Sequence, residues 1–251
     1  KSGLFGRLLQ RGITWVERRA FQACDHLIFL SETMRQVTIK EYGVDLKKTS
    51  VHYPFVTIPK QSDGDQAELN AHFDAGLKSI VYSGALGEKQ APEKLAKLFI
   101  AILDKHPDWQ ARIFSQGPIF DSLQATYQHP RLKYSPLVDA RLLPALLARS
   151  DIQVVPQDVG TSDGSLPSKL PNIIAAGTKL LCITDPASEL ENLVNTYPAG
   201  KACTDWSLDA CMNAFEELAQ LSQPDLSQSE VLLRQFTLEG LVDRINNIHQ
   251  S

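Results

Sequence analysis

The chain has 251 residues, 43% hydrophobic and 22% charged, with a formal net charge of −4 at pH 7. This is ordinary globular composition, enough for one or two domains at roughly 150 residues each, and it excludes a disordered, collagenous or coiled-coil chain. The acidic balance argues against a general nucleic-acid binder, and no apolar run reaches the roughly 18–20 residues of a membrane span. The four cysteines, Cys24, Cys182, Cys203 and Cys211, have neither paired spacing nor clustered histidines. Neither a zinc site nor a disulfide scaffold is expected, and a reducing, cytoplasmic setting fits. No secretory signal opens the chain; it starts at Lys1 in helix-like sequence and reads as a fragment.

The first stretch, Lys1 to Ala23, reads as a helix that gathers Phe5, Leu9, Ile13, Val16 and Ala20 on a face to be buried, opposite Arg7, Arg11 and Arg18. HLIFL then reads as a short strand, Ser31 as the N-cap of a helix ending at Gly43, and SVHYPF as a second strand. Residues 59–77, rich in Asp, Gln and Ala, read as a linker. From Lys78 onward strand-like runs at 79–83, 111–115, 131–135, 152–156 and 179–183 alternate with helix-length segments, among them Ala91–His106, Pro167–Ala176 and Ser188–Thr196. That alternation predicts an α/β fold with a doubly wound parallel sheet, whose ligands bind beyond the carboxyl ends of the strands. The tail reads as two further helices, Ser207–Ser222 and Ser229–His249.

Three loops at strand ends carry chemistry. SGALGEKQAP offers Gly84 and Gly87 for close backbone approach and Lys89 before a helix, which suits a phosphate; a tight turn with a solvated lysine is the alternative. FSQGP places Gly117 and Pro118 at another helix start. TSDGSLPSKLPNIIAAG puts Ser168 and Lys169 in what reads as the first turn of a helix opened by Pro167. A cation there opposes the helix dipole by a few tenths to about 1 kcal/mol, and a bound diphosphate would reverse that sign.

With ACDHLIFLSETM, YSGALGEKQAPEKL, FSQGP, RSDIQVVP and LPSKLPNIIAAG in this order, residues from about Phe21 to Leu193 resemble the C-terminal half of a family-four retaining glycosyltransferase of the GT-B fold. The LPSK variant is similar to the exopolysaccharide and O-antigen subgroup. The resemblance implies that residues 1–58 end an N-terminal, Rossmann-like acceptor domain and that 59–77 link it to a nucleotide-sugar-binding domain at 78–235. Residues 236–251 would form a helix crossing back. It implies transfer of a sugar from a nucleoside-diphosphate sugar to a saccharide or lipid-linked acceptor, with retention, without a metal or other cofactor. It assigns Gly84 and Lys89 to the diphosphate, Gly117 and Pro118 to a loop flanking the nucleotide, and Tyr134, Pro136 and Leu137 to the base. Ser165, Leu166, Ser168 and Lys169 would face the phosphates and the sugar.

The chain departs from that pattern. Two glutamates of many relatives correspond to Gly164 and Asn172, and the diphosphate arginine to Ala85. Asn172 could still bond a ribose hydroxyl through its amide oxygen, and Asp163 is a candidate stand-in for the first glutamate. Any catalytic histidine from the acceptor domain would lie upstream of Lys1. These departures motivate the alternative of a catalytically inactive relative serving as a binding or partner subunit; a sugar-nucleotide epimerase is a third reading. Arg7, Arg11, Arg18 and Arg19, with Trp15 beside them, read either as an interfacial helix on anionic lipid at the inner face of the plasma membrane or as a solvated face.

Overall fold

Hydrophobic patterning and capping chemistry build the N-terminal part from helix α1 (Leu4–Ala23), strand β1 (Leu27–Phe29), helix α2 (Glu32–Tyr42) and strand β2 (Thr49–Val51). The structure, a computed structural model, describes residues 3–58, 65–162, 166–222 and 229–250. β1 and β2 pair in parallel, with Leu27 opposite Thr49. Ser31 Oγ accepts the Met34 N–H at 3.1 Å to start α2, and Gly43 ends it with a φ of 68°, which most L side chains resist. β2 is shorter than the SVHYPF run. Pro54 has no N–H to give a ladder, and the chain leaves the strand after Val51. The face of α1 expected to be buried is open, with Leu9, Ile13 and Val16 exposed. α1 instead meets α2 along another edge, where Phe21 stands edge-on to Tyr42 and the Tyr42 hydroxyl donates to Glu17 at 2.6 Å.

The described part of the expected linker is packed rather than free. Helix α3 (Asp65–Asn70) and the turn after it bury Leu69 and Phe73 against Val81, Phe114 and Leu146. Two apolar anchors suffice to fix a segment whose remaining composition is polar.

The rest of the chain alternates as β3 (Lys78–Ser83), α4 (Pro92–Lys105), β4 (Trp109–Phe114), α5 (Pro118–Thr126), β5 (Leu132–Ser135), α6 (Leu143–Arg149), β6 (Ile152–Pro156), α7 (Leu170–Ala175), β7 (Lys179–Ile183), α8 (Glu189–Thr196), β8 (Gly200–Cys203) and α9 (Leu208–Gln220). Six strands form one sheet in the order β5-β4-β3-β6-β7-β8, all parallel. Every residue of β4, β6 and β7 is buried, as a sheet covered on both faces requires. Ile80, Val154 and Leu181 face α4, α5 and α9 on one side, while Val155, Leu180 and Cys182 face α6, α7 and α8 on the other. The chain winds outward from β3 to β5, then returns to β6 beside β3 and winds out to β8. The order therefore reverses between β3 and β6, which makes their carboxyl ends the switch point.

The final helix expected over Ser229–His249 is broken in two, α10 (Glu230–Leu233) and α11 (Leu238–Gln250). Phe236, fully buried between them, packs its ring 5.6 Å from that of Tyr53. Among the described residues, no helix is long and apolar enough to cross a membrane.

Candidate functional site

Two loops meet at the switch point. The first leaves β3 through Gly84, whose φ is 136° and whose N–H donates to the Phe114 carbonyl at 3.0 Å. A Cβ at this position would come within 3.1 Å of Lys169 Nζ, so glycine answers both the backbone angle and the close approach. The loop ends at Ala91, a non-glycine residue at a φ of 45°, a conformation held only where the surroundings over-determine it. The second loop leaves β6. Its Asp158 N–H donates to the Lys89 carbonyl at 2.7 Å, and its carboxylate pairs with Lys94 at 2.7 Å, which holds Asp158 below the usual carboxylate range. Farther along, Gly160 and Ser162 give their N–H groups to Asp185, at the end of β7, at 2.9 and 3.2 Å. Those hydrogen bonds depress the acid's pKa and fix the path of the loop.

Two adjoining cavities open between these loops, of about 650 and 360 Å³. Ala85, Gln90, Pro167, Ser168 and Lys169 line both. Among the described lining residues there are two lysines, Lys89 and Lys169, and no Asp or Glu. Lys169 Nζ donates to the Ser83 carbonyl at 2.9 Å and sits 4.0 Å from the centre of the Tyr82 ring. No carboxylate among the described residues pairs with it, and burial pulls its pKa from 10.5 down to about 7. An ammonium carries three N–H donors, and one goes to Ser83. Lys169 thus brings unspent N–H donors to the wall shared by the two cavities.

The sequence-predicted residues divide by place. Gly84, Leu137, Ser168, Lys169 and Asn172 line the larger cavity; Lys89, Leu166, Ser168 and Lys169 line the smaller. Gly117, Pro118, Tyr134 and Pro136 line neither. Gly117 and Pro118 are spent on starting α5, with Gly117 at a φ of 98°. Tyr134 turns its ring edge-on to Phe120 and donates its hydroxyl to the Tyr127 carbonyl at 2.8 Å. Asp163 and Ser165 lie outside the described residues, as does Gly164. Helix α7 begins at Leu170, so Lys169 caps it rather than lying in a first turn opened by Pro167; burial, not the helix dipole, perturbs this lysine.

Asn172 differs from expectation too. Its Oδ1 accepts the Thr57 N–H at 2.8 Å and its Nδ2 donates to the Thr57 hydroxyl at 3.0 Å, so the amide holds a neighbouring segment of chain. Sequence reasoning missed that segment: Pro54, Phe55 and Thr57 form a wall of the larger cavity. The proline inside SVHYPF was the signal that the chain stops being a strand and becomes a loop there. Gln90, whose Oε1 accepts the Gly87 N–H at 2.8 Å, was missed as a lining residue of both cavities.

No family model matches the chain. It is 29% identical over 244 residues to WcaI of Escherichia coli (strain K12), named for a glycosyl transferase of colanic acid biosynthesis; the match takes in 93% of this chain and 59% of WcaI. The chain thus spans about three fifths of the length of that curated relative. Among solved structures it superimposes on the sucrose-phosphate synthase of Thermosynechococcus elongatus with a TM-score of 0.65 at 13% identity, over 94% of this chain and 60% of that one. It also superimposes on Anabaena HepE, solved with UDP and glucose, with a TM-score of 0.62 at 14% identity, over 92% and 64% of the two chains. Strand order, switch point and these superpositions agree: the chain has the α/β architecture of the GT-B glycosyltransferases.

Proposed function

We propose that the six-stranded sheet is the donor-binding half of a retaining glycosyltransferase, one that moves a sugar from a nucleoside-diphosphate sugar to a saccharide or lipid-linked acceptor in cell-surface polysaccharide synthesis. The observation that carries this reading is the pair of adjoining cavities at the switch point, with Lys89 and Lys169 and no described carboxylate on their walls. In such a transfer, negative charge builds on the departing diphosphate. Lys169, fixed by Ser83 and Tyr82, and Lys89 are placed to stabilise it as it forms, with the Ser168 hydroxyl beside them. The wider cavity, with apolar walls at Phe55, Phe114 and Leu137, suits a base and ribose, leaving the narrower one for the phosphates and sugar. The likeness to WcaI supports polysaccharide synthesis, and the HepE complex supports a UDP-linked donor. Asp163 stays our candidate for the carboxylate near the sugar. The exposed Trp15, Leu8 and Leu9, beside Arg7, Arg11 and Arg18 on α1, suit a peripheral contact with anionic membrane on the cytoplasmic side, where lipid-linked acceptors are met.

The test is a thermal-shift screen against UDP, GDP, ADP and their sugar conjugates. A ligand at 100 times its dissociation constant adds about 2.7 kcal/mol, about 5–10 °C for a chain of this size. A shift with one base family supports the reading and names the donor's base. No shift with any of them, together with no nucleotide detected by equilibrium dialysis, overturns it.

A further inference from the structure

A second concave site shares no lining residue with the donor cavities, although its His52 ring lies 5.3 Å from that of Phe55 in the larger one. A cavity of about 350 Å³ is lined by Arg35, Thr49, Ser50, His52, Gln235 and Arg244. Successive residues of β2 all reach it, and since side chains of a strand alternate between faces, the cavity lies along the strand's edge. β2 pairs with β1 alone among the described residues, so this edge also offers backbone N–H groups.

The charge at this site is positive, with Glu32 offsetting part of Arg35 and no carboxylate pairing with Arg244 among the described residues. Arg35, half-buried on α2, donates from Nε to the Thr49 hydroxyl at 2.8 Å and from Nη1 to Glu32 at 3.1 Å. These bonds set the plane of the guanidinium and leave Nη2 without a partner among the described residues. Arg244, on α11, makes no hydrogen bond or ion pair among the described residues. Its field reaches both nearby histidines: beyond the effect of burial, Arg244 makes protonation of His26 and His52 harder, and Arg35 adds to this at His26. Of the nearby carboxylates, Glu32 pairs with Arg35 at the edge of the site and accepts from Gln36, while Glu189 is committed to the first amides of α2.

We propose that this groove binds a phosphate-class oxyanion between the guanidinium groups of Arg35 and Arg244. Planar guanidinium forks match such oxygens bidentately, which a lone lysine cannot do. The site goes beyond the donor reading and does not depend on it. The anion's source is either a soluble phosphate ester or the headgroup phosphate of a lipid.

The experiment follows the imidazole signals of His26 and His52 by NMR while inorganic phosphate is added at constant ionic strength. Since His52 adjoins Phe55 of the larger cavity, Lys169→Met is the control that separates the sites: the same titration on it is expected to be unchanged whether or not the donor reading holds. Saturable shifts in both histidines, with their titration moved to higher pH, are the expected result. Arg244→Ala, an exposed position on α11 that leaves the core untouched, should weaken the binding at least about tenfold, the loss of one charge-assisted bidentate contact. Arg244→Lys should recover only part of it. In a second arm, vesicles of phosphatidylglycerol or phosphatidylcholine are sedimented with the wild type and Arg244→Ala. Weaker pelleting of the variant with the anionic vesicles alone assigns the phosphate to a lipid; equal pelleting assigns it to a soluble ester when the phosphate titration is positive. Histidine signals unmoved by phosphate, with pelleting independent of Arg244, overturn the proposal, and so does a phosphate response that persists undiminished in Arg244→Ala.

Discussion

Replacing Lys169 by Met tests the candidate site through its least ordinary property. Burial moves this lysine's titration from 10.5 to about 7 in the folded chain. At about 1.36 kcal/mol per pH unit, the two units between pH 7 and pH 9 are worth about 2–3 kcal/mol of the charged form's disadvantage. Below pH 7 the folded and unfolded chains both carry the proton, and folding bears the whole cost of desolvating the cation. Between pH 7 and 10.5 the unfolded chain keeps a proton that the folded chain has released, so stability climbs with pH. Methionine has the bulk and no proton to lose. The variant should therefore be more stable than the wild type relative to their gap at pH 9, by about 2–3 kcal/mol at pH 6, which is several degrees in Tm. A bound diphosphate needs the charged lysine, so wild-type affinity should fall as pH rises above 7. The variant should bind at least about tenfold more weakly and lack that pH dependence. Thermal unfolding of both proteins from pH 6 to pH 9, with and without the nucleoside diphosphate, reads all of this. Parallel Tm curves, or undiminished binding by the variant, would refute the reasoning.

Two further substitutions probe how the surroundings hold the site. Gly84→Ala forces an L side chain into a φ of 136° and sets a Cβ 3.1 Å from Lys169 Nζ. About 1–3 kcal/mol of stability should be lost, and diphosphate affinity should drop by more than the same change at exposed Gly160; equal affinities would show that Gly84 does not shape the cavity. Glu189→Ala removes the carboxylate that accepts the Glu32 and Thr33 N–H groups at 2.8 and 3.1 Å. Hydrogen exchange at those two amides should speed up and unfolding stability fall by about 1–2 kcal/mol. Unchanged protection would mean that Ser31 alone caps α2.

The sequence announced the sheet where burial wrote it plainly. SIVYS, IQVVP and KLLCI are apolar runs because both faces of those strands are covered. β8 was invisible by the same logic, for GKAC has neither a run nor an alternation. It becomes a strand by pairing with β7, and Gly200 is there because a Cβ would collide with the Val194 carbonyl at the end of α8. In the site, glycines and lysines of two loops were legible because few structures need them together. The direction of the Tyr134 side chain was illegible because strand register is not written locally. Tyr134 lies opposite Ile113, a core residue, so it faces the core and not the cavity. The wall from Pro54 to Thr57 was illegible for a further reason: its contacts are with residues more than a hundred positions away.

That wall has no regular secondary structure, so its position is set by its anchors. Val56 donates its N–H to the Phe236 carbonyl at 2.9 Å, the Tyr53 ring rests on Phe236, and Thr57 is held by both groups of Asn172. Two of the anchors thus belong to the C-terminal segment and one to α7, the helix whose cap is Lys169. The cavity's cation and the clasp on its opposite wall are therefore one turn apart on the same short helix. Any displacement of α7 moves both together, and any force on the wall is carried through Asn172 toward Lys169. The residue that stands where a ribose-binding glutamate was looked for has been put to work holding the cavity's shape.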